Sequence, residues 1–523
     1  MKIYKYLSII SLAISTLVFT QCTDSYYDYN KTGVNDEEGA RDQYFLRGHM
    51  TNMQNWIIPS NEHANQFTEQ LLGGTYGGYF ADINPGFNNR NFSTYGPEDG
   101  WTAATFNNSM ENVMTSYNTI LTMTEDPILL AVASINRVMA MSRITDIYGP
   151  IPYSKVGVDG ALNAEYDSQE TVYKTMISQL NDAIEVLTAN STNNFSSKAD
   201  RIYAGNVVSW IKLANSIKLR MAVRMADVNI ALARTTAEEV MANSVGPIVS
   251  NEDNANLVLI AGQTNPYSYG FNIWGNGGDT HISADITSYM NGYSDPRRPM
   301  YFNEESGFGK GVYVGFRNGV NIPAQTVGQQ YTNMNAAIYN QSAMRLMNAA
   351  EVAFLRAEGA LRGWNMGGTA QELYEEGIAL SFGQWGASGA DTYIADATSR
   401  PERYVDPLGT FSYSGTPATI TIAWNDGASF EANLERIITQ KWIAIYPNGI
   451  EAWSEFRRTG YPKLMPVLQN NSGGIVNSTR MARRLRFPNS EYTGNRDNVN
   501  YAVSNYLGGA DNMATDVWWA KKN

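Results

Sequence analysis

The sequence predicts a mainly α-helical fold of tetratricopeptide-like helix pairs, with long irregular loops and a few short strands. Three observations carry this. Apolar residues recur at helical spacing in six segments, capping or breaking residues stand at the segment ends, and stretches rich in Gly, Asn and Tyr separate them. No strict 34-residue period is visible, so the likeness to tetratricopeptide units rests on helix pairing and small residues at crossing points.

The first segment runs from Asp126 to Ile147, with Leu130, Ala133, Val138, Met141 and Ile144 on its apolar stripe. Pro127 opens it and Gly149-Pro150 closes it, as expected at helix termini. A second helix starts at Asp167-Ser-Gln-Glu170, where Asp167 is the expected cap, and continues through Val172, Met176, Leu180, Ile184 and Leu187. Tyr203 to Asp227 buries Trp210, Leu213, Ile217, Met221 and Met225, leaving Lys212, Lys218, Arg220 and Arg224 for the other face. A later pair carries Leu346, Ala350, Phe354, Ala357 and Leu361, then Leu373, Ile378 and Phe382 after the capping box Thr369/Glu372. Leu434 to Tyr446 completes the set. Short strands are expected at Asn256 to Ala261 and Thr419 to Ala423.

Composition narrows the function classes. The 523 residues carry a formal net charge of -12, which disfavours nucleic acid because such binding draws its affinity from cationic side chains. Apolar residues at 43% and ordinary Gly and Pro contents exclude disorder as a whole-chain description. The 32 Tyr, 11 Trp and 52 Asn supply ring faces and amides, the groups that bind neutral polar ligands.

Residues 1–21 have the form of an export signal: Lys2 and Lys5 precede an apolar stretch from Tyr6 to Phe19, too short to span a bilayer. The single cysteine, Cys22, follows at once, so an intrachain disulfide is impossible. Its position resembles the lipidated cysteine of bacterial lipoproteins, although Gln21 stands where Ser, Gly or Ala is usual. The expected organisation is signal 1–21, lipidated tether 22–35, and one helical body 36–523.

The long loops at 73–101, 262–281, 308–340 and 386–430 are the expected carriers of function. In the first, Tyr76, Tyr79 and Phe80 stand beside Asp82 and Asn84; in the second, Tyr267, Tyr269 and Trp274 stand beside Asn272. Sugar rings present apolar C–H faces that stack on such aromatics, while their hydroxyls need amides and carboxylates. These nine residues are the candidate ligand contacts, with Tyr76, Tyr79 and Trp274 as a stacking platform.

Enzyme motifs are not found. The run IITQKWIAIYPNGIEAWSEFRRTG clusters Lys441, Glu451, Glu455, Arg457 and Arg458, but its spacing is that of a packed helix with salt-bridged edges. His49, His63 and His281 lack zinc spacing, the Gly-rich runs lack the Lys-Ser/Thr of a phosphate cradle, and Asp279 and Asp285 read as solvated loop acids rather than a calcium site. No catalytic residue, metal or cofactor is expected.

Several segments together resemble the SusD/RagB family of outer-membrane nutrient-binding lipoproteins: DIYGPIPYSKV from Asp146, VVSWIKLANSIKLRMAVRMAD from Val207, GYSDPRRPMYF from Gly292, LMNAAEVAFLRAEGAL from Leu346, the run from Ile437, and LRFPNSEYTGNRDNVN with LGGADNMATDVWW near the end. The resemblance implies four tetratricopeptide-like pairs, an outer-membrane anchor on Cys22 facing the cell exterior, and a SusC-like TonB-dependent transporter barrel as partner. It also implies capture of an oligomeric nutrient, usually glycan. A peptide cargo is the alternative, a surface glycoside hydrolase a more distant one, and a helical scaffold a third.

Overall fold

Helix ends in this protein are set by side chains that take up free amide hydrogens. The computed structural model describes residues 43–157 and 163–520; the signal, Cys22 and the tether lie outside them. Two units are distinguished, Met1–Gly48 and His49–Asn523, and the helices and candidate site below belong to the second.

Asp126 caps α1 (Pro127–Tyr148), accepting from the amides of Ile128 and Leu129, and Gly149 ends it at φ +85°, a conformation open to a residue without Cβ. For α2 (Gln169–Ala189) the cap is Ser168, which accepts from Thr171 N; Asp167, the residue expected there, instead accepts from Ser154. Asn206 caps α3 (Val207–Arg224), Asn229 caps α4 (Ile230–Ala242), and Asn348 caps α5 (Ala349–Leu361). The box at Thr369 and Glu372 is present on α6 (Ala370–Trp385). Ser429 and Asn448 cap α7 (Phe430–Ala444) and α8 (Gly449–Thr459).

Consecutive helices pack on one another as α1 with α2, α2 with α3, α3 with α4, and α5 with α6 and α7. The helix α1 is long and apolar enough to cross a membrane by length and composition, yet 83% of its apolar stretch is buried in the body. Within it Arg137 lies over the ring of Tyr153, 4.0 Å from the centroid, and donates to the Tyr153 carbonyl at 2.5 Å.

A buried ionic cluster ties four helices together. Arg220 of α3 forms a two-pronged pair with Glu351 of α5 at 2.7 and 2.8 Å, and Arg224 contacts Glu451 and Glu455 of α8. Lys441 of α7 reaches Glu451 at 2.9 Å, and Arg458 of α8 grips Glu358 of α5 at 2.7 and 2.6 Å. Burial raises the Glu455 carboxyl, but Arg458, Lys441 and Arg224 overcome this and hold it down at about 2. The helix α8 therefore reaches α7 through charge as well as through chain connection, and the clustered acids and bases are structural, as their spacing predicted.

The sheets are small. β1 (Phe80–Asp82) pairs antiparallel with β5 (Thr280–Ile282), β2 (Ile151–Pro152) with β3 (Tyr166–Asp167), and β4 (Ala255–Val258) with β6 (Ala343–Met347). The strand expected at 256–261 corresponds to β4. That expected at Thr419 to Ala423 is absent: Ile420 and Ile422 are buried there through irregular backbone, whose carbonyls accept from Tyr293 and Tyr374 hydroxyls.

Candidate ligand-binding site

Two segments almost 200 residues apart meet because β1 pairs with β5, with Asp82 opposite Thr280. The turn before β5 is tight. Gly275 and Asn276 both take positive φ, +64° and +54°, and Asp279 N closes the turn on the Gly270 carbonyl at 2.7 Å. A Cβ on Gly275 would lie 1.9 Å from Gln325 Nε2, so a larger residue would displace the amide that holds the turn.

This turn presents an aromatic group. Trp274 stacks on His63, with centroids 5.1 Å apart and planes 11° from parallel, and Tyr269 lies 5.3 Å away at 45°. Trp274 and Tyr269 are half-buried, while His63 and Asn272 are exposed. Beside them is a polar set. Asp279 accepts from Asn84 Nδ2 at 2.9 Å and Gln66 Nε2 at 3.5 Å, and Gln325 Nε2 donates to the carbonyls of Gly278 at 2.9 Å and Gly275 at 3.2 Å. Burial pushes the Asp279 carboxyl up, against the bonds from Asn84 and Gln66. A ring face next to amides and one partly desolvated carboxylate suits a ligand with an apolar face and polar edges.

Of the nine candidates, Asn84, Tyr269, Asn272 and Trp274 belong to this surface. Tyr76, Tyr79, Phe80, Asp82 and Tyr267 do not: all are buried, with Tyr79 and Phe80 at 0% exposure. The expected platform of Tyr76, Tyr79 and Trp274 is thus corrected. Tyr79 stacks on Trp442 of α7 at 5.5 Å and donates its hydroxyl to the Trp442 carbonyl, Tyr76 packs 5.0 Å from Trp453 of α8, and Phe80 meets Phe271 at 4.8 Å.

The cause is the segment Gln66–Gly74, a wide-turned helix that packs on α8 and runs into the start of the loop expected at 73–101. A Cβ on Gly449 would lie 2.2 Å from the Gly73 carbonyl carbon, so glycine permits the close crossing that draws the following aromatics inside. Sequence reasoning missed His63, Gln66, Asp279 and Gln325 as site residues. Their only signal was polarity, and they join the site through tertiary contact.

Asp82 is enclosed, 3% exposed, and accepts from Ser93 Oγ at 3.0 Å. Burial pushes its carboxyl up to about 7, the value of a useful general acid, but a carboxyl buried on β1 and shut off from solvent is not open to a ligand at Trp274. His281 is likewise buried between the carbonyls of Gly277 and Tyr331, and burial pushes it down. Among the described residues no group of three or more His, Cys, Asp or Glu could hold a metal ion.

Residues 27–520 match the family model described as Susd and RagB outer membrane lipoprotein. A SusD homologue from Bacteroides uniformis is 46% identical with a TM-score of 0.86, covering 92% of this chain and 100% of its own. A second, from Bacteroides thetaiotaomicron, is 42% identical with a TM-score of 0.84, over 91% and 99%. A chitin-binding SusD homologue from Flavobacterium johnsoniae is 40% identical with a TM-score of 0.87, over 92% and 99%. No curated protein matches the chain in sequence.

Proposed function

The chain belongs to the SusD-like family of SusD and RagB outer-membrane lipoproteins, and on that premise we propose that it captures an oligomeric glycan at the Trp274 surface and passes it to a TonB-dependent transporter barrel. As a family member it is a nutrient-binding lipoprotein of the outer membrane and not an enzyme. The anchor in this proposal is a lipid on Cys22, the tether is 22–35, and the binding body is 36–523.

The observation that carries the glycan reading is the stack of Trp274 on His63, with Tyr269 alongside, Asp279 in the same turn, and Asn84 and Gln325 hydrogen-bonded to that turn. One sugar ring covers an indole face while its hydroxyls take amide and carboxylate partners. The aromatic side chains lose little rotamer freedom on binding.

Calorimetric titration with chitooligosaccharides, prompted by the 40% identical chitin-binding relative, tests the reading alongside other neutral oligosaccharides and extended peptides. Saturable binding of at least one glycan, weakened by Trp274→Ala, is expected. Binding of peptides with no response to any glycan would move the peptide reading ahead.

A further inference from the structure

A cleft of about 570 Å³ lies away from the Trp274 turn, at the C-terminal end of α8 and the chain that follows it. This volume is within the range of small-ligand sites. Its apolar lining comes from Phe456, Leu464 and Pro466, and Tyr413 lines it as well. Tyr413 is held in place: its amide donates to the Tyr404 carbonyl at 3.0 Å, and its ring lies 5.1 Å from the Arg317 guanidinium.

The charge of this cleft is opposite to that of the whole molecule. Lys463, Arg480, Arg483 and the deep-lying Arg457 line it with Asp516 as the one acid, in a protein of net charge -12. Asp516 is largely taken by Arg483, whose Nε donates to it at 2.5 Å. Arg483 also donates to the Arg457 carbonyl and so has little left for a ligand. Arg480 differs. It touches Asp516 through one guanidinium nitrogen at 2.8 Å and is 57% exposed, leaving donors directed to solvent. Lys463 is 58% exposed and only 3.8 Å from Glu435, a loose pair. Two exposed cations thus line a cleft whose buried arginines are already committed to protein partners.

We infer that this cleft is a second ligand site, one that takes an acidic sugar unit through a carboxylate or sulfate held by Lys463 and Arg480 and a ring face set against Tyr413 and Leu464. The chemistry requires both parts. A bare anion would gain charge but leave the apolar wall wet, and a neutral sugar would gain the wall but make no use of the two cations. The inference is independent of the Trp274 surface.

The test is calorimetric titration of the full chain with trigalacturonate, with a neutral trisaccharide and with inorganic sulfate, in low and moderate salt. Saturable trigalacturonate binding is expected, weakened several-fold by salt because Lys463 and Arg480 are exposed. The double variant Lys463→Gln/Arg480→Gln should bind at least tenfold more weakly, with an unchanged thermal melt; if it folds poorly, Arg480→Gln alone serves with a threefold or greater loss. Trp274→Ala should leave this binding intact. The inference is overturned if trigalacturonate fails to bind, if the neutral trisaccharide competes equally, if sulfate alone binds, or if Trp274→Ala rather than the double variant removes the response.

Discussion

The imidazole of His63 and the indole of Trp274 lie face to face, 5.1 Å between centroids, although one belongs to a four-residue helix, Glu62–Asn65, and the other to a turn more than 200 residues later. One face of the indole is thereby occupied by protein, and the ring is fixed before any ligand arrives. Trp274→Ala should weaken binding of the best glycan by about 1–3 kcal/mol, with Tyr269→Ala costing less. Calorimetry measures this, and a thermal melt shifted by only a degree or two confirms that the loss is in binding.

Tyr79→Ala should act oppositely. Its ring is wholly enclosed between Trp442 and Tyr446, so truncation should cost stability by about 3–5 kcal/mol. Trp210→Ala, which also breaks the 2.8 Å bond from the indole to Asp200, should cost a similar amount. Denaturant unfolding compares the two; a Tyr79 variant as stable as wild type would contradict its placement in the core.

Removing the ammonium of Lys441 leaves Glu451, Glu455 and Glu351 with one fewer cation in a buried cluster. Lys441→Met should destabilise by about 3–5 kcal/mol, because an uncompensated charge is left without water. Chemical denaturation at neutral pH reads this directly.

Asp82 predicts a pH dependence. Burial raises its carboxyl from 3.8 to about 7, opposed by bonds from Ser93 and Asn91. Below about pH 4 folded and unfolded chains both hold the proton, so no penalty applies. Between about pH 4 and 7 the unfolded chain releases it first, and stability falls as pH rises, then levels off. Asp82→Asn should remove this fall, so its stability relative to wild type should grow from pH 5 to pH 8 in parallel denaturant titrations.

Cys22→Ala should move the protein from the membrane to the soluble fraction in cells lacking the partner barrel. Fractionation with immunoblotting checks this, and a variant that still pellets with outer membranes would exclude lipid on Cys22 as the anchor.

Helix periodicity was legible for the apolar stripes, whereas Lys218 and Arg224, assigned to the other face of α3, are buried. The stripes of α1, α2 and α3, the Pro127 start and the Thr369/Glu372 box follow from local rules, because a helix contacts its own capping residues within one turn. The acid and base spacing on α8 likewise announced a packed helix. The single cysteine and the apolar leader raised the expectation of a lipid anchor without reference to any other part of the chain.

Which aromatics reach the surface was decided only by tertiary structure. Tyr79 and Trp274 stand in equally Gly-rich, aromatic company, and nothing local separates them. Gly73 and Gly449 let a wide-turned helix press against α8 and draw Tyr76, Tyr79 and Phe80 inward, whereas the left-handed turn at Gly275 and Asn276 lifts Trp274 toward solvent. The partners of Trp274, His63 and the Asp279 network, come from segments that meet only when β1 pairs with β5 and the surrounding chain closes around them. Burial is a property of that meeting, set by what packs over a residue, and a local sequence window holds no record of it.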